Sequence, residues 1–189
     1  MIELQNVCKR YRVKNGWHTV LDNVNLRFEE GKSMGILGVN GAGKSTMIRI
    51  IGGAEQPDSG RVIRTSRVSW PIGFSGCFHG SLTGRENLRF VSRVYGADIR
   101  KVTDYVEDFA ELGDYMDMPI NTYSSGMRSK LAFGLSMAIG FDFYLIDEAY
   151  SVGDAAFKKK ADLALKEKAA TSTLIFVSHS MAAVKQNCV

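Results

Sequence analysis

The chain lacks most of what would mark it as secreted, metal-stapled or membrane-spanning. It has three cysteines in 189 residues. Cys8, Cys77 and Cys188 are odd in number, far apart and without a CxxC pair, which argues for reduced intracellular thiols and against a metal framework. The N-terminus, MIELQNVCKRYR, has no apolar signal-peptide core. The longest uncharged apolar run, Leu131 to Phe141, falls well short of the ~20 residues that cross a bilayer. If the protein works at a membrane, another chain supplies the span. Three prolines punctuate the chain without dividing it. No repeat, low-complexity tract or flexible linker is present, so one domain, with or without a subordinate lobe, is expected. A net charge of +4 is too small to argue by itself for nucleic acid, though it suits an anionic ligand or membrane surface.

With 45 % apolar residues the chain can bury a real core. The first thirty residues alternate in strand fashion, most clearly in TVLDNVNLRFEE. SMGILG (33–38) has the pattern of a buried strand, STMIRIIGG reads as a helix closed by Gly52 and Gly53, and RVIRTSRVSW (61–70) is strand-like up to Pro71. Helical spacing takes over across 84–118, with Val102, Val106, Phe109 and Leu112 on one face. FYLID (143–147) and TLIFVSH (173–179) return to buried-strand character. The expected fold is α/β: a parallel-sheet core with N-terminal antiparallel strands and a helical subdomain. Residues 1–189 are read as a single domain, with 1–74 and 136–189 forming the core and 75–135 the helical part.

GVNGAGKS, Gly38 to Ser45, fits the G-x-x-x-x-G-K-[ST] phosphate loop. Gly38, Val39, Asn40, Gly41, Ala42 and Gly43 supply a tight wrap whose N–H groups face phosphate oxygens, and the helix start adds its positive dipole end. Lys44 brings a point charge toward the β- and γ-phosphates, Ser45 can ligate Mg²⁺, and Thr46 extends the binding set. A chance glycine-rich turn is the competing account. It would arise in about one chain in a hundred of this length, and the strand before and helix after the loop weigh against it.

Two adjacent carboxylates, Asp147 and Glu148, end the FYLID strand, where a parallel sheet binds its ligand. Asp147 can hold Mg²⁺, and Glu148 can polarise the water that attacks the γ-phosphate. A solvated acidic turn is the bland alternative. His179 follows the apolar run TLIFV and so emerges at the same end of the sheet, able to bond the γ-phosphate or hold the water in line.

YSSGMRSKLAF (123–133) reads locally as a helix start capped by Ser124 or Ser125. With the phosphate loop and carboxylates in place, it resembles the Leu-Ser-Gly-Gly-Gln signature of the ATP-binding subunits of ABC transporters, and the resemblance covers essentially the whole chain. It implies a P-loop ATPase fold that binds ATP and Mg²⁺. It also implies head-to-tail pairing with a second copy, so that Ser124, Ser125 and Gly126 close over the ATP of the partner. By the same resemblance Tyr11 stacks on adenine, with Trp17 in reserve, although ordinary packing would also explain the tyrosine. Asp154 lies in the loop that crosses the dimer interface. His79 stands where the family usually carries glutamine in the lever facing the membrane partner, and Phe78 to Glu86 line the groove for that partner.

YSSGM, SVGD after Asp-Glu, and SWPIGFSGCFHGSLTGRENLRF together resemble ATPases that export capsular polysaccharide in Gram-negative bacteria. The implied protein is peripheral on the cytoplasmic face of the inner membrane, works with separate permease subunits and has no nucleic-acid partner. Family members continue past the histidine, so a truncated chain is expected at Val189. Export of O-antigen or teichoic acid, a soluble ABC protein acting on nucleic acid or ribosomes, and a P-loop kinase are the alternatives. The kinase would leave the signature and His179 unexplained. Lys158–Lys160 read as a solvated helix face and Met127 as a packing or interface residue.

Overall fold

A computed structural model describes residues 1–39, 41–72, 75–147 and 154–178. By their contacts they fall into two compact units, one within 1–71, 141–147 and 169–178, the other within 72–140 and 154–168.

In the first unit the N-terminal alternation becomes a hairpin of β1 (Ile2–Val13) and β2 (Gly16–Phe28), antiparallel with Val13 opposite Gly16. The inward residues of β1, Ile2, Leu4 and Val7, are fully buried. The run 61–70, which reads as one strand, divides between two sheets. β4 (Ser59–Arg64) pairs antiparallel with β1, while β5 (Val68–Pro71) pairs parallel with β6 (Phe143–Asp147). The break is at Thr65–Arg67, where the Thr65 N–H turns to the Met1 carbonyl and the Arg67 N–H to the Asp142 carboxylate. The parallel sheet has the order β3-β7-β6-β5, with β3 (Met34–Leu37) on one edge and β7 (Thr173–Ser178) inside. The apolar run in β3 is only partly covered: Met34 and Leu37 stay exposed, and among the described residues β3 pairs with β7 alone. β6 and β7 carry the buried character that their sequence announces.

α1 (Lys44–Ile51) packs with both sheets, its Ile48 and Ile51 joining Ile2, Phe28, Leu145 and Ile175 in one apolar cluster. Arg64 secures its far end, donating from Nε to the Ile51 carbonyl at 2.7 Å, so a cation meets the negative end of the helix dipole.

The second unit contains α2 (Gly84–Tyr95), α3 (Ile99–Ala110), α4 (Ser125–Ala138) and α5 (Ala155–Ala169). Every start has a cap. Thr83 and Glu86 form a capping box on α2, Asp98 caps α3, Ser124 caps α4 and Asp154 caps α5. Val102, Val106 and Phe109 are the buried stripe of α3. Phe109 stacks on Phe133 of α4 at 5.7 Å, and Phe157 of α5 meets both rings edge-on. The basic run on α5 is not wholly solvated. Lys160 donates to the Asp108 carbonyl at 2.7 Å and pairs with Glu111 at 2.8 Å, fastening α5 to the end of α3.

Candidate functional site

The parallel register sets the carboxyl ends of three strands level. Leu37 of β3 lies beside Ser178 of β7, and Asp147 of β6 lies beside Val177. The phosphate loop leaves the sheet at this edge. Its turn closes through the Ala42 N–H to the Val39 carbonyl at 3.2 Å, and it enters α1 through Gly43, whose φ of 85° is left-handed. A Cβ on Gly43 would lie 2.6 Å from Val20 Cγ1 and 2.9 Å from the Val20 carbonyl, so both conformation and space demand glycine. Gly41 is also left-handed, with φ 82°, but faces open space. Gly38 is tighter: an added Cβ would stand 3.3 Å from Ala42 Cβ. Val39 is 77 % exposed.

The helix ladder begins with the Met47 N–H on the Gly43 carbonyl, so the N–H groups of Lys44, Ser45 and Thr46 precede it and are available to an anion. The Lys44 ammonium curls back over the loop onto the carbonyls of Gly38 at 2.6 Å and Val39 at 2.9 Å. It is thereby held at the mouth of the cradle. Ser45 Oγ donates to Asp147 Oδ2 at 3.0 Å, joining a loop residue to a strand-end carboxylate far along the chain. A hydroxyl and a carboxylate at one point are hard oxygen donors of the kind Mg²⁺ takes, so the residues fit that ion. Thr46 is turned elsewhere. Its hydroxyl is buried beside Tyr11 and Arg49, and only its backbone remains for a ligand.

Tyr11 sits half-buried on β1, its hydroxyl donating to Glu55 at 2.6 Å. Trp17, on β2, is 61 % exposed and stacks with the Arg10 guanidinium at 4.9 Å. Asn40, Glu148 and His179 lie outside the described residues.

The second unit carries the other candidates. Ser124 is the N-cap of α4, accepting from the Met127 N–H at 3.2 Å, and Ser124 and Ser125 are exposed. Ahead of them the buried Tyr123 ring is anchored by its hydroxyl to the Tyr115 carbonyl. Gly126 has room: the nearest atom to an added Cβ is Ser124 Oγ at 3.8 Å. Asp154 spends one carboxylate oxygen on the Ala156 and Phe157 N–H groups and the other on Lys130 at 3.3 Å. These bonds, the Phe157 N–H first, hold its carboxyl below the usual aspartate range. His79 is exposed, on a loop organised by a residue that sequence reasoning passes over. Asn87, fully buried, accepts the His79 N–H at 2.8 Å and donates to the carbonyls of His79, Leu82 and Thr83. An Asn in a first helical turn reads as solvent-facing, and only the fold shows it turned back onto the loop. Burial pushes the neighbouring Cys77 thiol up to about 11, so at neutral pH it offers no thiolate chemistry. Among the described residues no helix is long and apolar enough to cross a membrane.

A family profile described as "ABC transporter" matches residues 21–151. The chain is 54 % identical to the polysialic acid transport ATP-binding protein KpsT of Escherichia coli, over all of this chain and 87 % of that protein. It is 51 % identical to the capsule polysaccharide export ATP-binding protein CtrD of Neisseria meningitidis serogroup B, again over all of this chain and 87 % of the relative. Among solved structures it superposes on the dimeric post-hydrolysis state of the ATP-binding cassette MJ0796 bound to ADP and Pi. That likeness has a TM-score of 0.77 and 26 % identity, covering 99 % of this chain and 91 % of the other.

Proposed function

This chain belongs to the ABC transporter family, and we propose that it is the ATP-binding and ATP-hydrolysing subunit of an exporter that moves capsular polysaccharide across the bacterial inner membrane. The observation that carries the ATPase reading is the meeting of Ser45 Oγ and Asp147 Oδ2 beside the Lys44-bearing loop. The polysaccharide cargo is supported by the relatives named for polysialic acid and capsule export.

In this reading the N–H groups at the start of α1 and the Lys44 ammonium take the β- and γ-phosphates of ATP, within a loop from Gly38 to Thr46 that includes Asn40. Mg²⁺ held by Ser45 and Asp147 would neutralise charge on the phosphate oxygens. Glu148 follows Asp147 and serves as the base for the attacking water. His179 follows Ser178, whose strand is level with the start of the loop, and holds that water and the γ-phosphate in line. Ser124, Ser125 and Gly126, at an exposed helix start, reach the ATP of a second copy paired head to tail, and Asp154 lies along the same interface. Tyr11 stacks on the base. His79, on the Asn87-braced loop, senses the permease, and the protein rests on the cytoplasmic face of the membrane.

A strain lacking this gene, complemented with Lys44→Ala, tests the reading. ATP hydrolysis by the variant should fall by at least about a hundredfold, and polysaccharide should accumulate inside the cells. Restoration of surface polysaccharide by Lys44→Ala would contradict the proposal.

A further inference from the structure

A cluster of charged and hydroxyl groups surrounds the Tyr11 hydroxyl, and nothing in the hydrolytic chemistry uses it. The hydroxyl donates to Glu55 Oε1 at 2.6 Å and lies 3.3 Å from Thr46 Oγ1. The other Glu55 oxygen accepts from Arg49 Nε at 3.1 Å, and the Lys9 ammonium stands 3.3 Å from Oε1. Arg49 Nη2 reaches Thr46 Oγ1 at 3.3 Å. Lys9 also bonds the Gln56 carbonyl at 2.8 Å and Asp58 at 3.2 Å. The turn bearing Glu55 is folded back by the Ala54 and Glu55 N–H groups, both on the Arg49 carbonyl. Burial works against the Glu55 charge, but its bonds to Tyr11, Arg49 and Lys9 outweigh this and hold the carboxyl below its ordinary value. With side-chain exposures of 14 % for Lys9 and 20 % for Glu55, the pair is largely shielded from water and holds its geometry better than a surface pair.

Three elements of the first unit therefore meet at one carboxylate: β1 through Tyr11 and Lys9, α1 through Arg49, and the turn that follows α1, while Thr46 joins the cluster through the Tyr11 hydroxyl and Arg49. Thr46 adjoins Ser45. The tether thus ties an aromatic ring on β1 to the first turn of the helix whose start takes phosphates. Packing alone would be served by phenylalanine. The three polar partners of the hydroxyl, Glu55, Thr46 and, at 3.5 Å, Arg49 Nη2, explain tyrosine, and they fix the ring's distance from the phosphate loop.

We propose that Glu55 is a positioning residue, holding Tyr11 at a set distance from the phosphate loop so that its ring receives the base of a nucleotide whose phosphates the loop binds. This rests on the base-stacking reading of Tyr11 above. It predicts that Glu55 acts on the base half of the ligand and not on the phosphate half.

Calorimetric titration of the full chain with MgATP, MgADP and magnesium tripolyphosphate, which lacks a base, separates the two. Tyr11→Phe, which keeps the ring, and Glu55→Ala should each weaken MgATP and MgADP by about tenfold. Tripolyphosphate binding should stay at the parent value, and the double variant should lose no more than either single one. Equal weakening of tripolyphosphate would make Glu55 a brace of the fold and overturn the proposal, as would parent affinity for ATP in Tyr11→Phe and Glu55→Ala. Tyr11→Ala distinguishes the failures. If it alone weakens ATP, stacking stands and the tether falls. If it leaves ATP binding intact, the stacking reading falls and takes the proposal with it.

Discussion

At the scale of single residues, two glycines that look alike in sequence have different duties. Gly43 is left-handed and faces Val20 at a distance no Cβ tolerates. Gly43→Ala should therefore cost about 2 kcal/mol or more of folding stability, read by urea denaturation. Gly126 lies in a helix with open space around it. Gly126→Ala should leave stability within about 0.5 kcal/mol of the parent, yet lower hydrolysis by the assembled exporter, because the space it fills is where a second subunit's nucleotide is expected. Unchanged hydrolysis would argue against that contact. The phosphate loop was legible in sequence because its glycines, lysine and serine are contiguous and each type has a local reason. Glu55 and Asn87 were not. The work of Glu55 depends on partners on β1 and α1, and Asn87 on a backbone turn folded over it. Residue type and spacing carry no trace of either.

Among elements, the start of α4 was the easiest to read and strand boundaries were the hardest. Ser124 caps α4 as its sequence suggests, and the structure adds a capping box of Thr83 and Glu86 on α2. Removing the cap of α2 with Thr83→Ala should cost about 1 kcal/mol and loosen the loop that carries His79. Chemical denaturation measures the first effect, and faster amide exchange at Leu82 and Asn87 measures the second. Asp154→Ala should destabilise α5 in a pH-dependent way. The native carboxyl is held below the ordinary aspartate value of 3.8, so its stabilising effect is fully present above that pH and disappears as pH falls through the lower native value. The stability gap between parent and variant should close below about pH 4; a constant gap would mean the charge plays no part. The run 61–70 hides a change of sheet because alternation persists through Thr65–Arg67 while the hydrogen bonds change direction. Similarly, apolar composition alone could not tell that β3 lies on an edge among the described residues.

On the scale of the whole molecule, the chain divides its candidate site residues between two units. The first has the phosphate loop and strand-end carboxylate, the second the capped serine helix, the His79 loop and Asp154. The order of strands and helices made the α/β class legible. Packing of α5 against α3 and α4 was not, since Phe157 on Phe109 and Phe133 and Lys160 on Glu111 are partnerships between distant segments. The central claim is that one chain holds only part of a working ATPase, and the serine helix of a second copy completes it. Turnover per chain, measured on the purified protein across a dilution series, tests this most directly. It should fall as the protein is diluted, with the second-order dependence of a dimer that must form before it acts. A turnover per chain that stays constant at every dilution would contradict the account.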